Sequence, residues 1–189
     1  IVVGGSAPPA ERPPNVVASY ALTETGSTVA YDGVPLGRVE LRVVEGEVQV
    51  RGPMLLRCYR DGTDPKTADG WLPTGDAGHL DADGTLHVQG RRGDLIVTGG
   101  ENVWPVPVED ALRADPAIAD IAVAGAPDPE WGHRVVAHVV PVDPAAPPSL
   151  DQLRDLAKAT LPAFMAPREL VLHDELPRTS IGKIRRSQL

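Results

Sequence analysis

The segment GRRGDLIVTGGENVWPVPVED, residues 90–110, marks a change in the hydrophobic pattern of the chain. Before it, from residue 37 to residue 90, apolar and polar residues alternate as they do in half-buried β-strands. After it, short apolar runs alternate with helical patterns. Gly93 lies between the two regions and can act as a pivot, because glycine has no Cβ to restrict the backbone. The sequence therefore predicts an α+β protein: a β-rich (barrel-like) subdomain, then a hinge, then a small mixed α/β C-terminal domain.

The region after the hinge predicts four strands and two helices. The first helix should bury Val108, Ala111 and Leu112, which share one face. The second should begin at the capping box formed by Ser149 and Gln152. Its predicted inward residues are Leu150, Leu153, Leu156 and Ala157. The predicted strands are residues 95–98, 121–124, 134–140 and 169–173, with a Gly99-Gly100 turn after the first.

Composition excludes several classes of protein. Asp and Glu number 26 against 18 Lys and Arg, a formal net charge of -8, so we expect no nucleic-acid partner. No apolar run approaches the ~20 residues that a membrane-spanning helix needs. Cys58 is the single cysteine and cannot form an intrachain disulfide, which suits the cytoplasm.

The chain begins with IVVGG, which predicts a buried strand that ends in a turn. The absence of an initiator Met and of a signal-peptide pattern leads us to expect a fragment of a longer protein. Three segments are predicted. Residues 1–29 would be the end of a large N-terminal domain, residues 30–92 its β-rich subdomain, and residues 93–189 a mobile C-terminal domain.

Three common motifs fail on spacing. Gly182-Lys183 lacks the earlier glycine and the following Ser or Thr of a P-loop. DADG at residues 81–84 lacks the later ligands of a calcium loop, so this segment predicts a hairpin turn. The five histidines lack the usual spacing of metal ligands, and His87 and His138 lie in strand patterns as ordinary sheet residues.

Polar residues at strand ends predict a nucleotide site. Tyr20, Thr23 and Glu24 follow an apolar run. The aromatic face of Tyr20 can stack on a purine, the hydroxyl of Thr23 can bond a phosphate oxygen, and the carboxylate of Glu24 can hold Mg²⁺. Asp76, in a predicted Gly-flanked turn, can accept hydrogen bonds from ribose hydroxyls, and Arg91 follows in the hinge segment. Taken singly, each also fits a solvated side chain or a turn residue. The order and spacing favour the nucleotide site.

Six ordered segments resemble the adenylate-forming superfamily of AMP-producing acyl- and aryl-CoA ligases. The segments are SYALTETG, GEVQVRGPMLLRCY, WLPTGDAG, GRRGDLIVTGGENVWPVPVED, GAPDPEWGHRVVAHVV and LPRTSIGKI. The resemblance covers essentially the whole chain. It implies a ligase that forms an acyl-adenylate from a carboxylic acid and Mg-ATP, and then an acyl-CoA thioester from coenzyme A.

The resemblance also implies roles for residues of the first half. Tyr20 would contact adenine, Thr23 the phosphate and Glu24 the Mg²⁺, while Asp76 and Arg91 would bind the ribose.

Lys183, in the tail, would stabilise the charge shared by the carboxylate and the α-phosphate in the first step. The flanking Ile181 and Ile184 would anchor its loop, whereas Arg185 and Arg186 are expected to be surface charges. In the second step, rotation at Gly93 would bring in Gly99 and Gly100, whose missing side chains would let the pantetheine arm pass.

Two departures from the family pattern matter. The family usually has Asp or Lys at the pivot where this chain has Gly93. The family's phosphate-binding loop and most of its acid pocket would precede Ile1, so we expect this chain alone to be inactive and to need an N-terminal half of the same enzyme.

Short stretches of the sequence look like those of ligases that act on o-succinylbenzoate in menaquinone biosynthesis. The resemblance therefore implies o-succinylbenzoate as the acid. Two alternatives remain open: another fatty- or aryl-acid CoA ligase, and a non-catalytic binding module derived from this fold. The sequence leaves the oligomeric state open, a homo-oligomer included.

Overall fold

The computed structural model describes residues 1–4 and 13–189. The chain divides into two compact units, Ile1–Gly93 and Asp94–Leu189. The second unit begins one residue after the predicted start of the C-terminal domain. Strands form most of the regular structure and two α-helices complete it among the described residues, which confirms the α+β class.

The first unit contains two four-stranded sheets among its described residues. The first sheet has the order β1-β2-β3-β4, with β1 parallel to β2 and the other pairs antiparallel. The second is an antiparallel meander with the order β5-β6-β7-β8. The strands are β1 Val2–Gly4, β2 Val17–Ala21, β3 Thr28–Tyr31, β4 Val34–Pro35, β5 Glu40–Val44, β6 Glu47–Arg51, β7 Leu72–Leu80 and β8 Leu86–Arg91.

The start of the chain departs from its prediction. Strand β1 forms, but it lies at the edge of its sheet, and Ile1 and Val2 are 76% and 58% exposed rather than buried. The turn predicted at Gly5 lies outside the described residues. Strand β3 runs across the predicted boundary between residues 29 and 30, and Val29 and Ala30 are both fully buried.

The meander is an open sheet: among the described strands, β5 and β8 are its edges and do not pair to close a barrel. The predicted turn signals are confirmed. Glu45 and Gly46 both have positive φ, at 50° and 76°, and connect β5 to β6. Gly84, at φ 85°, lies in the turn between β7 and β8.

The second unit packs two helices against a five-stranded sheet. The sheet has the order β10-β9-β12-β11, and β13 pairs in parallel with β12. Short 3-10 turns at Ala163–Met165 and Arg186–Gln188 complete the unit. The elements are β9 Ile96–Thr98, β10 Glu101–Val103, α1 Pro105–Leu112, β11 Ile118–Asp128, β12 Gly132–Pro141, α2 Leu150–Thr160 and β13 Glu169–Leu172.

The helix faces largely follow the predicted pattern. Val108 and Leu112 of α1 and Leu153 and Ala157 of α2 are fully buried in one core, whereas the other residues predicted to face inward are only partly buried. The capping box is confirmed, because the Ser149 side chain accepts a hydrogen bond from the Gln152 amide and the Gln152 side chain bonds back. No helix among the described residues is long and apolar enough to cross a membrane.

Candidate active site

Three predicted nucleotide-site residues meet in the first unit. The Tyr20 hydroxyl, on β2, donates a hydrogen bond of 2.6 Å to Asp76 Oδ2. Arg91 Nε lies 3.1 Å from Asp76 Oδ1, and the two residues are register partners across β7 and β8. Arg91 Nη1 also donates to the main-chain carbonyl of Thr74 at 2.7 Å. A phenol, a carboxylate and a guanidinium group are therefore held together by contacts among themselves.

Asp76 lies inside strand β7, which corrects its predicted place in a turn. The strand is irregular at this point, because Gly75 has φ 72° and the pairing with β8 shifts between Ala77 and Gly78. The Thr74 hydroxyl donates to the main-chain carbonyl of Val48 at 2.7 Å and accepts from the Asp76 amide at 3.1 Å. Glycines flank the pair Asp76 and Ala77, which the sequence analysis took as the sign of a turn. In the fold these glycines mark an irregularity within a strand.

Burial sets the electrostatics of this cluster. The pKa of Asp76 is raised mainly because the carboxyl is buried, although the hydrogen bond from Tyr20 and the charge of Arg91 both act to lower that pKa. Burial, and then the hydrogen bond to Asp76, raises the pKa of Tyr20. Tyr20 therefore remains a neutral phenol that donates its proton to Asp76.

Thr23 and Glu24 lie in the 3-10 turn Thr23–Thr25, directly after β2. Thr23 is exposed, and Glu24 Oε1 accepts a hydrogen bond of 2.9 Å from the hydroxyl of Tyr59. That hydrogen bond is the main reason that the pKa of Tyr59 is raised. Glu24 also contributes, as a like charge, to the raised pKa of Asp76. The charge of Glu24 therefore acts on the buried carboxyl of Asp76 within the first unit.

Two residues of this region escaped the sequence analysis. The buried Thr25 hydroxyl lies 2.9 and 2.6 Å from the main-chain carbonyl oxygens of Leu22 and Ser27, which share its single proton, and so holds the turn that presents Thr23 and Glu24. The role of Thr25 could have been inferred from the sequence, since Ser and Thr side chains often form hydrogen bonds with nearby main-chain groups in turns. Tyr59 has no such signal, because it is 35 residues from its partner Glu24.

Lys183 lies in a tight turn of the second unit, with an exposed side chain. The Gly182 amide donates to the Thr179 carbonyl at 2.9 Å, and the Lys183 amide donates to the Thr179 hydroxyl at 3.1 Å. Gly182 has φ 81°, a left-handed conformation that glycine adopts without strain. These two hydrogen bonds to Thr179 fix the backbone at Lys183.

The Lys183 turn is held by polar contacts, which corrects the predicted anchoring by both isoleucines. Ile181 is 76% exposed, whereas Ile184 is half-buried and its strand bridge pairs it with Arg178. Arg178 donates to the Gly182 carbonyl at 2.6 Å and forms an ion pair of 2.6 Å with Asp120. The isoleucine at position 181 cannot anchor the turn because it packs against little of the second unit.

Arg186 is a half-buried clamp rather than the predicted surface charge. Its Nη2 donates to Glu109 Oε1 at 2.6 Å, its Nη1 lies 3.3 Å from Asp94 Oδ2, and its Nε donates to the Val123 carbonyl at 3.2 Å. Glu109 is 2% exposed, and its Oε1 also accepts from the Val123 amide at 2.8 Å. Arg185 is exposed, as predicted.

The sequence carried a signal for this clamp. Glu109 lies next to Val108 and three residues before Leu112, so it falls on the face of α1 that was predicted to be buried. A carboxylate on a buried face requires a compensating charge, since burying an unpaired charge is very costly. Arg113, four residues later, supplies part of that charge at 3.5 Å from Glu109 Oε2, as the helical spacing allows. The closer partner, Arg186, lies 77 positions later and could not be read from the pattern.

Gly99 and Gly100 form the predicted turn, but they differ in their surroundings. Both have positive φ, at 59° and 86°. A Cβ at Gly99 would lie 2.6 Å from the ring of Trp131, whereas a Cβ at Gly100 would meet no atom within 4 Å. Arg168 stacks on the same ring, at 4.2 Å from its centroid. The bare Cα of Gly99 therefore accommodates Trp131, which the sequence analysis did not foresee.

Residues 107–183 match the family model of the AMP-binding enzyme C-terminal domain. Residues 107–183 therefore belong to this family, and the chain as a whole is similar to the C-terminal portion of adenylate-forming enzymes. Among its curated relatives, "Probable 2-succinylbenzoate–CoA ligase" from Mycobacterium tuberculosis is 41% identical over an alignment of 203 residues, which covers 100% of this chain and 52% of the relative. Indoleacetate–CoA ligase from Aromatoleum aromaticum is 40% identical over 149 residues, or 76% of this chain and 29% of the relative.

Solved structures of the same class superpose well. o-Succinylbenzoate CoA synthetase from Bacillus subtilis, in complex with the acyl-adenylate intermediate OSB-AMP, has a TM-score of 0.88 at 32% identity, over 99% of this chain and 45% of that chain. The same enzyme in complex with ATP and a magnesium ion has a TM-score of 0.85 at 30% identity, over 100% and 45%. The chain thus spans about half the length of the relatives it matches.

Proposed function

We propose that this chain is the C-terminal portion of an ATP-dependent carboxylic acid–CoA ligase. The complete enzyme would join a carboxylate to the α-phosphate of ATP, releasing pyrophosphate, and the coenzyme A thiol would then displace AMP to give the thioester. The observation that carries the proposal is the convergence of Tyr20, Asp76 and Arg91 in a chain of this superfamily. The presence of Glu24, Asp76 and Lys183 together argues against a non-catalytic binding scaffold, which would have no use for all three.

The proposed nucleotide contacts follow from the chemistry of these groups. The Tyr20 ring would lie against adenine, and the Asp76 carboxylate, oriented by Arg91, would accept the ribose hydroxyls. Thr23 would bond a phosphate oxygen. The Glu24 carboxylate supplies the oxygen ligand that Mg²⁺ prefers, and the ion would neutralise phosphate charge.

The tail of the second unit would supply the charge for adenylation. Lys183 is exposed on a turn that Thr179 and Arg178 hold in place, so its ammonium group can be presented to a ligand. Arg186 would keep this tail attached to α1 through Glu109 and to the start of the unit through Asp94. We further propose that the unit reorients at Gly93 between the two half-reactions, and that the enzyme works in the cytoplasm.

We propose o-succinylbenzoate as the acid, which would assign the enzyme to menaquinone biosynthesis. Support comes from the relatives named 2-succinylbenzoate–CoA ligase and from the B. subtilis structure with OSB-AMP. The relative named indoleacetate–CoA ligase, at 40% identity, supports a second candidate, an aryl-acid CoA ligase. The residues that would choose between them lie mostly in the part of such enzymes that this chain does not cover.

The test is pyrophosphate exchange in the longer protein that contains this chain. o-Succinylbenzoate, indoleacetate, benzoate and a medium-chain fatty acid would each be supplied with Mg-ATP, followed by coenzyme A. We expect exchange and thioester formation with o-succinylbenzoate at the highest kcat/KM. A higher kcat/KM with indoleacetate would favour the second candidate. Exchange with none of the acids would favour a non-catalytic binding module.

A further inference from the structure

A cluster of two imidazoles and one carboxylate lies at the closed end of the β7–β8 hairpin. His79 and His87 are register partners on the two strands, and their rings stack at 4.9 Å between centroids with 14° between the ring planes. Asp81 follows immediately after β7 and lies beside both rings. Side chains of register partners project from the same face of a sheet, which explains why residues eight positions apart meet.

The donor atoms in this cluster lie near the separations that a shared metal ion requires. Asp81 Oδ2 lies 2.8 Å from His87 Nε2, and Asp81 Oδ1 lies 3.7 Å from His79 Nε2. One ligand atom from each residue lies within 4.8 Å of the other two, the only such group of three among the residues that the structure describes. Two donors that each bind a tetrahedral Zn²⁺ at about 2.1 Å are about 3.4 Å apart. The two His–Asp distances lie on either side of that value; they run to different oxygens of Asp81, and the shorter one is a hydrogen bond to His87.

The hairpin turn fixes the backbone that carries the carboxylate. The Asp81 amide donates to the Thr85 carbonyl at 2.9 Å, and the Gly84 amide donates to the Asp81 carbonyl at 2.9 Å. Asp83 Oδ1 accepts from the Thr85 amide at 3.0 Å. Bringing the three donors onto an ion therefore needs only side-chain rotation. All three side chains are about half exposed, which leaves room for water as the remaining ligands.

We propose that His79, Asp81 and His87 bind a divalent transition-metal ion, with Zn²⁺ as the best match. Imidazole nitrogens suit Zn²⁺, Ni²⁺ and Cu²⁺, whereas Mg²⁺ prefers oxygen ligands in octahedral geometry. The site is separate from the Mg²⁺ position proposed at Glu24 and does not depend on the proposed ligase activity. Three protein ligands and open positions for water describe an exchangeable site rather than a closed structural one.

This proposal departs from the prediction made from histidine spacing. The five histidines lack metal spacing in the sequence because zinc motifs are usually read from local sequence intervals. Here the spacing is created by the register of β7 and β8, since Asp81 lies close to His79 in sequence while His87 returns on the next strand. A bound ion would cross-link the two strands that carry Asp76 and Arg91 farther along, and would stabilise the hairpin by binding only its folded form.

The experiment uses the 189-residue chain without a polyhistidine tag. Calorimetric titration with ZnCl₂ in a non-chelating buffer at neutral pH should give one bound ion per chain, and MgCl₂ should give no comparable signal. The double variant His79→Gln, His87→Gln should bind Zn²⁺ at least tenfold more weakly. The variant His133→Gln, which removes an exposed imidazole in the second unit, should bind as the parent does.

Two further variants make the outcome decisive. Asp81→Asn should weaken Zn²⁺ binding while leaving both imidazoles in place, and Cys58→Ser should not change it. Because the three side chains are exposed, the melting curves of the metal-free variants should match that of the parent. The absence of Zn²⁺ binding at about 1 mM would overturn the proposal. Equal affinity in the double histidine variant, or loss of binding in Cys58→Ser alone, would also overturn it.

Discussion

The Tyr20 hydroxyl and the Asp76 carboxylate lie 2.6 Å apart although 56 residues separate them in sequence. Asp76 is buried, so Tyr20 satisfies one of its oxygens while Arg91 contacts the other. The contact ties the first sheet of the first unit to its second sheet. It also gives the first prediction.

Tyr20→Phe removes the hydrogen bond but keeps the ring. Leaving a buried acceptor without its donor typically costs about 1–3 kcal/mol. We expect the free energy of unfolding of the chain to fall by that amount in urea titrations, and the pKa of Asp76 to rise further, because the bond from Tyr20 lowers it in the parent. Tyr31→Phe, at a 38% exposed tyrosine, is the control. An unchanged Asp76 pKa, measured by carboxyl carbon NMR, would show that the contact is absent in solution.

Asp76 should also give the chain a characteristic pH dependence. Its folded pKa is raised by burial, so the folded state holds this proton at pH values where the unfolded chain has already lost it. The contribution of Asp76 is therefore most favourable below the unfolded pKa of about 3.9 and declines as pH rises through the folded pKa. The free energy of unfolding of the parent minus that of Asp76→Asn, measured across pH, should therefore decline as pH rises through the folded pKa of Asp76. A difference that instead rises with pH over the same window contradicts the raised pKa.

Lys183→Ala should impair the first half-reaction selectively, if the proposed function is correct. Losing one charge-stabilising contact in the transition state costs on the order of 3 kcal/mol, or ~100-fold in rate. In the longer protein, pyrophosphate exchange should fall by that factor while thioester formation from preformed acyl-adenylate is retained. Arg185→Ala removes a neighbouring exposed charge and should leave both rates unchanged. Equal losses in the two half-reactions for Lys183→Ala would argue against this role.

Arg186→Ala should destabilise the second unit strongly. Breaking a buried ion pair typically costs about 3–5 kcal/mol. Glu109 is buried and would keep only its longer ion pair, with Arg113 at 3.5 Å, so we expect a loss toward the lower end of that range. Arg185→Ala, at the adjacent exposed position, should cost less than about 0.5 kcal/mol. In the double variant Arg186→Ala, Glu109→Gln, much of the loss should be recovered in urea unfolding, since the buried charge that lost its closer partner is gone. Additive losses would mean that the two side chains do not interact.

Gly99→Ala and Gly100→Ala should separate steric conflict from backbone strain. Both residues have left-handed φ, which costs a non-glycine residue about 1–2 kcal/mol. Only at Gly99 does the new Cβ also meet the Trp131 ring. We therefore expect the larger loss of stability at Gly99, and a smaller cost of Gly99→Ala when it is measured in a Trp131→Ala background. In the longer protein, Gly99→Leu should reduce thioester formation more than pyrophosphate exchange, if a pantetheine arm passes this turn.

The sequence was most informative where structure is set locally. The Ser149 capping box, the paired glycines at positions 99 and 100, and the apolar stripes of both helices depend on neighbours within a few residues. Such patterns can be read because helix and turn geometry have fixed periods.

Long-range contacts escaped prediction for a physical reason. The role of Arg186 depends on Glu109, and the meeting of His79 with His87 depends on strand register, which a sequence pattern does not specify by itself. The candidate nucleotide residues lie between these cases. Their identities and order suggested a site, but only the fold brings Tyr20 to Asp76.

The end of β8 places a candidate nucleotide-site residue directly beside the boundary between the units. Arg91 is the last residue of that strand, and Gly93 follows after a single intervening residue. Two residues span at most about 7 Å of chain, so this connection has almost no slack. If the second unit turns at Gly93, torque on the backbone there would reach the guanidinium group that orients Asp76. The affinity for the nucleotide and the rate of reorientation would then depend on each other. Inserting residues after Arg91 would remove that dependence.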